Sequence, residues 1–386
     1  MKRVTLWRSQ ALALTIVLLA AASPAAPPAS SPPLTASQFA DLINRLSEEG
    51  GYFWNDNYVS NEASYLHPLT KLRELGIQGG VYLGVGPNQN FTYIAKVRPA
   101  YSFIIDIRRQ NLLQHLMFKA LFHFARSRAD YLSLLISRPV RKGAFENESY
   151  DIDELVRYFL RAEPDQNTFR NTQARIRVFL SQATRVKLSE RDYSTIEKIH
   201  RAFFLRGLSI KYDYIPVPTY GEFLLETDLE GKKQNFLNSA QEFWMLKRMH
   251  EENRIIPLVG DFAGRHALRE LGSYLREIDH KVILFYTSNV EQYLVQALTW
   301  PEFLKNVAAL PLDERAVFIR AYWSNHLLHP DSVRGYRFTQ VVQPISYFLE
   351  NFRAAAPASY WDIVTANPIR LLPSGSDPNK LNNIHR

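Results

Sequence analysis

Residues that could recognise a small molecule stand at the ends of several apolar runs. Gly84 and Gly86 flank Val85 in the run LGVGPNQN, a stretch of bare backbone that can turn sharply and come close to a ligand. Asp106 closes a second apolar run 20 residues after Gly86, where a carboxylate can accept hydrogen bonds from a ribose diol. Gly260-Asp261-Phe262 and Ser288-Asn289 close two more runs with turn-forming, polar and aromatic side chains. Together they fit the recognition of a nucleotide-like molecule. The same residues also fit a plain reading, with tight strand-to-helix turns, Asp106 as a helix cap and Asp261 capping the helix after it.

The elements that would position these groups follow from periodicity. Residues 81–85 read as a short apolar strand, 90–97 as a brief helix and 101–105 as a second strand, a βαβ unit with a nucleotide-site layout. After Asp106 apolar residues recur at three- and four-residue spacing for about a hundred residues, with helices expected through 112–124, 131–136, 153–160, 169–180 and 193–205. That block is longer than one crossover needs and reads as an α-helical insertion at about 110–210. Strands are then expected at 254–259, 281–286, 316–322, 336–342 and 360–364, with helices at 264–278 and 345–352. The count is a seven-stranded, doubly wound, mostly parallel α/β sheet, buried on both faces.

The residues after the glycine turn narrow the ligand. Gln89 stands where a dinucleotide-binding GxGxxG has its third glycine, which disfavours NAD and FAD, and no Gly-Lys-Ser/Thr follows to make a phosphate loop. The turn and the acidic strand end resemble the first two strands of class I S-adenosylmethionine-dependent methyltransferases, whose GxGxG motif and second-strand carboxylate match Gly84, Gly86 and Asp106. Asn88 replaces the third glycine of that motif, and Tyr82 stands where the family usually has Asp or Glu. The resemblance covers roughly 77–109 and 252–365. It implies a Rossmann-like methyltransferase fold and S-adenosylmethionine as cofactor, held by Gly84, Gly86, Asn88, Asn90, Asp106, Asp261, Phe262, Ser288 and Asn289. It also implies that Asp261 and Phe262 lie near the adenine, and Ser288 and Asn289 near the transferred methyl group.

Methyl transfer asks for alignment, plus a base where the acceptor carries a proton. No residue is specified as that base; Glu62 and Glu291 are candidates, and each also reads as a surface carboxylate. The rival to an enzyme is a non-catalytic ligand-binding or scaffold protein on the same fold. An aromatic, amide-rich stretch at 51–69 precedes the first strand and could form a lid, with Asn61 or Glu62 reaching in; covering of the sheet edge, with Ser60 as a helix cap, accounts for it equally.

Composition bounds the rest. The 386 residues are 46% hydrophobic and 22% charged, ordinary for a globular chain long enough to bury a sizeable core. The absence of cysteine excludes disulfides, thiolate metal sites and a cysteine nucleophile. A formal charge of +8, part of it at Lys2, Arg3 and Arg8, demands no nucleic-acid partner. Those charges, the apolar run 11–22 and the small residues that follow give 1–25 the three regions of a signal peptide, so the protein is expected in the periplasm or outside the cell, off the membrane once cleaved. A Pro/Ser/Ala linker at 26–35, a helical and lid segment at 36–76, the α/β domain at 77–366 and a disordered tail at 373–386 complete the expected plan. His326 and His329, with Asp331 behind, have metal-ligand spacing but no specified third ligand, so no metal is expected. The segments 219–222 and 228–231 could shape a substrate mouth or be plain turns, and no GxSxG elbow supports serine catalysis.

Overall fold

A computed structural model describes residues 32–212, 217–324, 327–352 and 357–372. The signal-peptide reading of 1–25, the start of the linker, His326 and the tail at 373–386 lie outside the described residues. The end of the linker is tied down, because the Tyr101 hydroxyl donates to the Pro32 carbonyl and the Leu34 amide to that of Glu252. Thr35 and Gln38 then form a reciprocal capping box that starts helix α1 (Ala36–Leu46), whose Phe39, Leu42, Ile43 and Leu46 are buried. Among the described residues no helix is long and apolar enough to cross a membrane.

Past α1 the chain crosses the strand ends rather than packing as a helix. The Glu48 amide donates to the Val259 carbonyl and the Gly51 amide to that of Ile107. A Cβ on Gly51 would lie 2.6 Å from the Ile107 side chain, so only glycine lets the segment pass this close. A 3-10 turn (Ala63–Leu66) and helix α2 (Leu69–Glu74) lead to strand β1 (Val81–Gly84), helix α3 (Asn90–Val97) and strand β2 (Tyr101–Asp106), close to the expected βαβ unit.

The helical block is longer than expected. It comprises α4 (Arg109–Phe124), α5 (Arg128–Ile136), α6 (Ile152–Arg161), α7 (Gln166–Ala183), α8 (Glu190–Arg206), α9 (Tyr220–Leu225) and α10 (Ala240–Glu251), the last two unanticipated. It is not a separate domain. Helix α4 packs against β2 and β3 as well as α8 and α10, so it is buried from Asn111 to Phe122 all round its circumference. One continuous apolar cluster joins Leu116, Phe203 and Leu246 of these helices to Leu83 and Phe103 of the sheet.

Strand β3 (Ile255–Val259), helix α11 (Ala267–Glu277), strand β4 (Val282–Ser288), helices α12 (Val290–Gln296) and α13 (Trp300–Ala308), strands β5 (Leu312–Trp323) and β6 (Phe338–Pro344), and helices α14 (Ile345–Asn351) and α15 (Tyr360–Thr365) complete the fold. The sheet order is β3-β2-β1-β4-β5-β6, parallel except for β6, which runs antiparallel to β5. Pro257, which cannot donate to a ladder, sits on edge strand β3.

The expected seventh strand is a correction. Residues 360–364 form α15, because Ser359 and Asp362 make a capping box that nucleates a helix while Ile363 and Val364 bury into the core. A single antiparallel bridge between Val342 and Ile369 stands where a further strand would pair. The protein is thus an α/β fold on a six-stranded, mostly parallel sheet.

Candidate functional site

The order of the sheet reverses at β1, whose two neighbours are β2 and β4. Loops leaving adjacent strand ends in opposite directions leave a crevice between them, the usual ligand position in open α/β sheets. A cleft of about 360 Å³ lies there, within the range of small-molecule sites. Its floor is made by Val85, Gly86, Pro87 and Gln89 after β1, Asp106 and Arg108 at the end of β2, Gly260, Asp261 and Phe262 after β3, and Tyr286, Ser288 and Asn289 at the end of β4. The segment after α1 roofs it with Tyr52, Phe53, Asn57 and Ser60 to Glu62, and α12 closes one side with Tyr293. The Phe53 and Tyr293 rings meet edge to face with centroids 5.5 Å apart, joining roof to wall.

Of the nine sequence-predicted cofactor contacts, six line this cleft and three do not. Gly86 is bare: its φ is +81° and a Cβ would meet nothing within 4 Å. Gly84 serves packing instead, since a Cβ there would collide with the Asn90 side chain and lie 2.7 Å from the Tyr82 hydroxyl. Asn90 is turned away from the cleft to hold the glycine loop. Its Nδ2 donates to the carbonyls of Val85 (3.0 Å), Gly86 (3.3 Å) and Pro87 (2.6 Å), and its Oδ1 accepts from the Tyr82 hydroxyl at 2.7 Å. Tyr82, where the methyltransferase resemblance has an acid, is a buried donor for this clip. Asn88 is also buried and donates to the Tyr220 hydroxyl at 2.6 Å. The loop is braced from below by His115, whose Nε2–H donates to the Gly86 carbonyl at 2.9 Å; burial lowers its pKa to about 4, so the ring is neutral at pH 7.

Asp106 lines the cleft, but Arg108 already engages both its oxygens. Arg108 Nε lies 3.0 Å from Oδ1 and Nη2 2.8 Å from Oδ2, with both side chains nearly buried. The other arm of the guanidinium donates to the Asn55 and Asp56 carbonyls at 3.0 and 2.9 Å, and the group lies over the Phe53 ring. Arg108 thus ties the roof to the end of β2. Sequence reading missed this residue, although an arginine two positions after a strand-end carboxylate was the available signal.

Beside the end of β2, after β3, Asp261 makes a local turn, its Oδ1 accepting from the Ala263 amide at 2.9 Å, while Glu48 accepts from the Asp261 amide at 2.7 Å. The Phe262 ring lines the cleft and stacks on Phe303 from behind. At the end of β4, Ser288 is held at φ +54°, an unfavourable conformation for a residue with a Cβ.

Glu62, one of the two candidate bases, is in the cleft. It is 2% exposed, and its Oε1 accepts from the Ser288 hydroxyl at 2.5 Å and the Tyr286 hydroxyl at 2.9 Å, its Oε2 from Gln340 at 2.9 Å. Gln89 donates in turn to the Tyr286 hydroxyl. Burial pushes the Glu62 carboxyl above its usual range, against these three donors. Glu291 is not in the cleft: it is fully buried in an ion pair with Arg320, which also donates to Gln343. The Glu62–Tyr286–Gln89 chain of hydrogen bonds was not legible in sequence because its three members come from distant parts of the chain.

The remaining candidates fall to structural roles. Thr219 and Glu222 are the capping box of α9, and the Asp228 carboxylate closes a turn by accepting from the Glu230 and Lys232 amides. His329 faces the Val364 carbonyl and the Asp331 amide, and Asp331 pairs with Arg370.

The chain matches no curated protein. The model of a family described as Domain of unknown function (DUF7790) matches it over residues 58–144 and 144–367, a span that starts at the cleft roof and runs through the last helix. The chain therefore belongs to the DUF7790 family.

Proposed function

We propose that the protein is an exported, Rossmann-like α/β protein with a doubly wound sheet, and that its cleft binds a small molecule of the S-adenosylmethionine class, with methyl transfer to an acceptor as the reaction class it fits. The observation that carries this reading is the convergence of four strand ends on one cleft at the point where the sheet order reverses, with the bare Gly86 backbone on its floor. Asp261, Phe262, Ser288 and Asn289 line the same space, as the resemblance implies for the adenine and methyl ends of the ligand. The aromatic side chains of the lining suit a flat base, and its Asn57, Asn61 and Asp261 suit the hydroxyls of a sugar.

A second reading has its own support. Arg108 holds the Asp106 carboxylate that a ribose would use, and Gly84, Asn88 and Asn90 are committed to the loop rather than to a ligand. These features favour a non-catalytic binding protein that uses the cleft for another ligand.

Calorimetric titration of the full chain with S-adenosylmethionine and S-adenosylhomocysteine separates the two. Asp261→Ala, which changes the cleft wall without touching the Asp106–Arg108 pair, is the control. Micromolar binding by the parent that weakens at least tenfold, about 1.4 kcal/mol, in the variant supports the first reading. A folded parent that binds neither compound rejects it and leaves the second.

A further inference from the structure

The chain treats its buried carboxylates in two ways. Among the described residues, Glu291, Asp106, Asp192 and Asp331 are buried carboxylates each paired with an arginine, Arg320, Arg108, Arg109 and Arg370. Glu62 is as deeply buried, but the groups that hold it are neutral: the Ser288 and Tyr286 hydroxyls and the Gln340 amide. Its further titratable neighbours are the phenols of Tyr82 on β1, Tyr93 on α3 and Tyr360 on α15, again without a positive charge. A buried carboxylate with no counter-ion is costly, and the cost persists in a fold only where something offsets it. Asp228 is also buried without an arginine, but its carboxylate closes a local turn and does not line the cleft; among the described buried carboxylates only Glu62 lines the cleft without an arginine on it.

The rest of the lining points the same way. Among the described lining residues Arg108 is the only cationic side chain, and its guanidinium is committed to Asp106 and to two roof carbonyls. Asp261 adds a second lining carboxylate with no arginine on it. The aromatic rings of Phe53, Tyr286 and Tyr293 stand around the same space and attract a cation placed over their faces. Phosphate groups would meet unpaired negative charge here and no free cation.

We propose that Glu62 is the counter-ion for a positively charged group on the cleft's ligand, so that the site selects a sulfonium or ammonium compound over its neutral analogue. This rests on the reading of the cleft as a site for an S-adenosylmethionine-class molecule, whose sulfonium is such a group. Ser288, hydrogen-bonded to Glu62 and pinned at positive φ, then acts as a positioning residue that aims the carboxylate into the cleft.

The test compares a cation with its neutral twin. S-Adenosylmethionine and S-adenosylhomocysteine differ by the methyl group that makes sulfur positive, and each is titrated into the parent chain and into Glu62→Gln, with circular dichroism to verify folding. The parent is expected to prefer the sulfonium by about ten- to a hundredfold, the scale of one charge-assisted contact, and Glu62→Gln to lose most of that preference while keeping its affinity for the thioether. Equal affinity of the parent for both compounds overturns the proposal, whether or not the variant folds. Retention of the full preference by a folded Glu62→Gln overturns it as well. If neither nucleoside binds, trimethylsulfonium is added to the parent and to the variant in a thermal melt. Stabilisation of the parent alone keeps the counter-ion and rejects the nucleoside reading; stabilisation of neither rejects both.

Discussion

Replacing Arg108 by Met removes a guanidinium and keeps a side chain of similar length. The arginine makes four contacts of 2.8 to 3.0 Å, two with the Asp106 carboxylate and two with the roof carbonyls of Asn55 and Asp56. The ion pair is almost dry, with the two side chains 6% and 5% exposed. Removing one partner of such a pair strands the other in low dielectric, which costs about 3–5 kcal/mol. Loss of the roof contacts adds unevenly, because Asp56 is exposed and water can replace its donor whereas Asn55 is buried. Arg108→Met is therefore expected to lose about 3–5 kcal/mol in urea unfolding, and Asp106→Asn/Arg108→Met less than the sum of its single variants, with a coupling of about 2–3 kcal/mol. The roof should also become the first site of limited proteolysis, between residues 50 and 57. A loss below about 1 kcal/mol, or a coupling near zero, would refute the view that this pair staples the roof to β2.

Other perturbations follow from the same packing. Tyr82→Phe leaves the Asn90 Oδ1 without its donor and is expected to cost about 1–2 kcal/mol, whereas Asn90→Ala orphans the Tyr82 hydroxyl and the loop carbonyls together and should cost about 3 kcal/mol or more; equal losses in urea melts would contradict the clip. Arg320→Met strands the buried Glu291 and is expected to cost about 3–5 kcal/mol, with most of it recovered in Glu291→Leu/Arg320→Met; a double variant as unstable as the single one would show that packing, not charge, is the cause. Burial depresses His115 and His200 to about 4, so each favours the fold fully above its unfolded value near 6.5 and loses that contribution as pH falls toward 4. The two shifts are each worth roughly 3 kcal/mol, and His115→Gln should flatten the stability profile between pH 6.5 and 4; an unchanged slope would place the ring in solvent.

Legibility of the fold tracked how local its causes were. The βαβ unit at 81–106 was readable because strand, turn and helix are written in adjacent residues, and the helix bounds 90–97 agree with the structure. The run 360–364 misled because its four apolar residues satisfy a strand and a buried helix equally, and the deciding capping box pairs Ser359 with Asp362, the one polar residue of the run. Helix α4 showed its periodicity but not its depth: buried on every side, it carries polar residues such as Asn111 and Lys119 inside, which no amphipathic pattern marks.

What the sequence by itself determined is the glycine turn, the four polar strand ends and the order in which they arrive, since these depend on neighbours along the chain. It left open which groups remain available to a ligand. Gly84 looked like a ligand contact and is a packing necessity, because Asn90 folds back onto it; Asp106 looked free and is held by Arg108. Glu62 looked like any surface carboxylate until Tyr286, Ser288 and Gln340, more than 200 residues away in the chain, closed around it. The physical reason is that hydrogen-bond partners and burial are set by contacts between distant elements, and it is these that decide whether a polar side chain is spent on the fold or left facing the cleft.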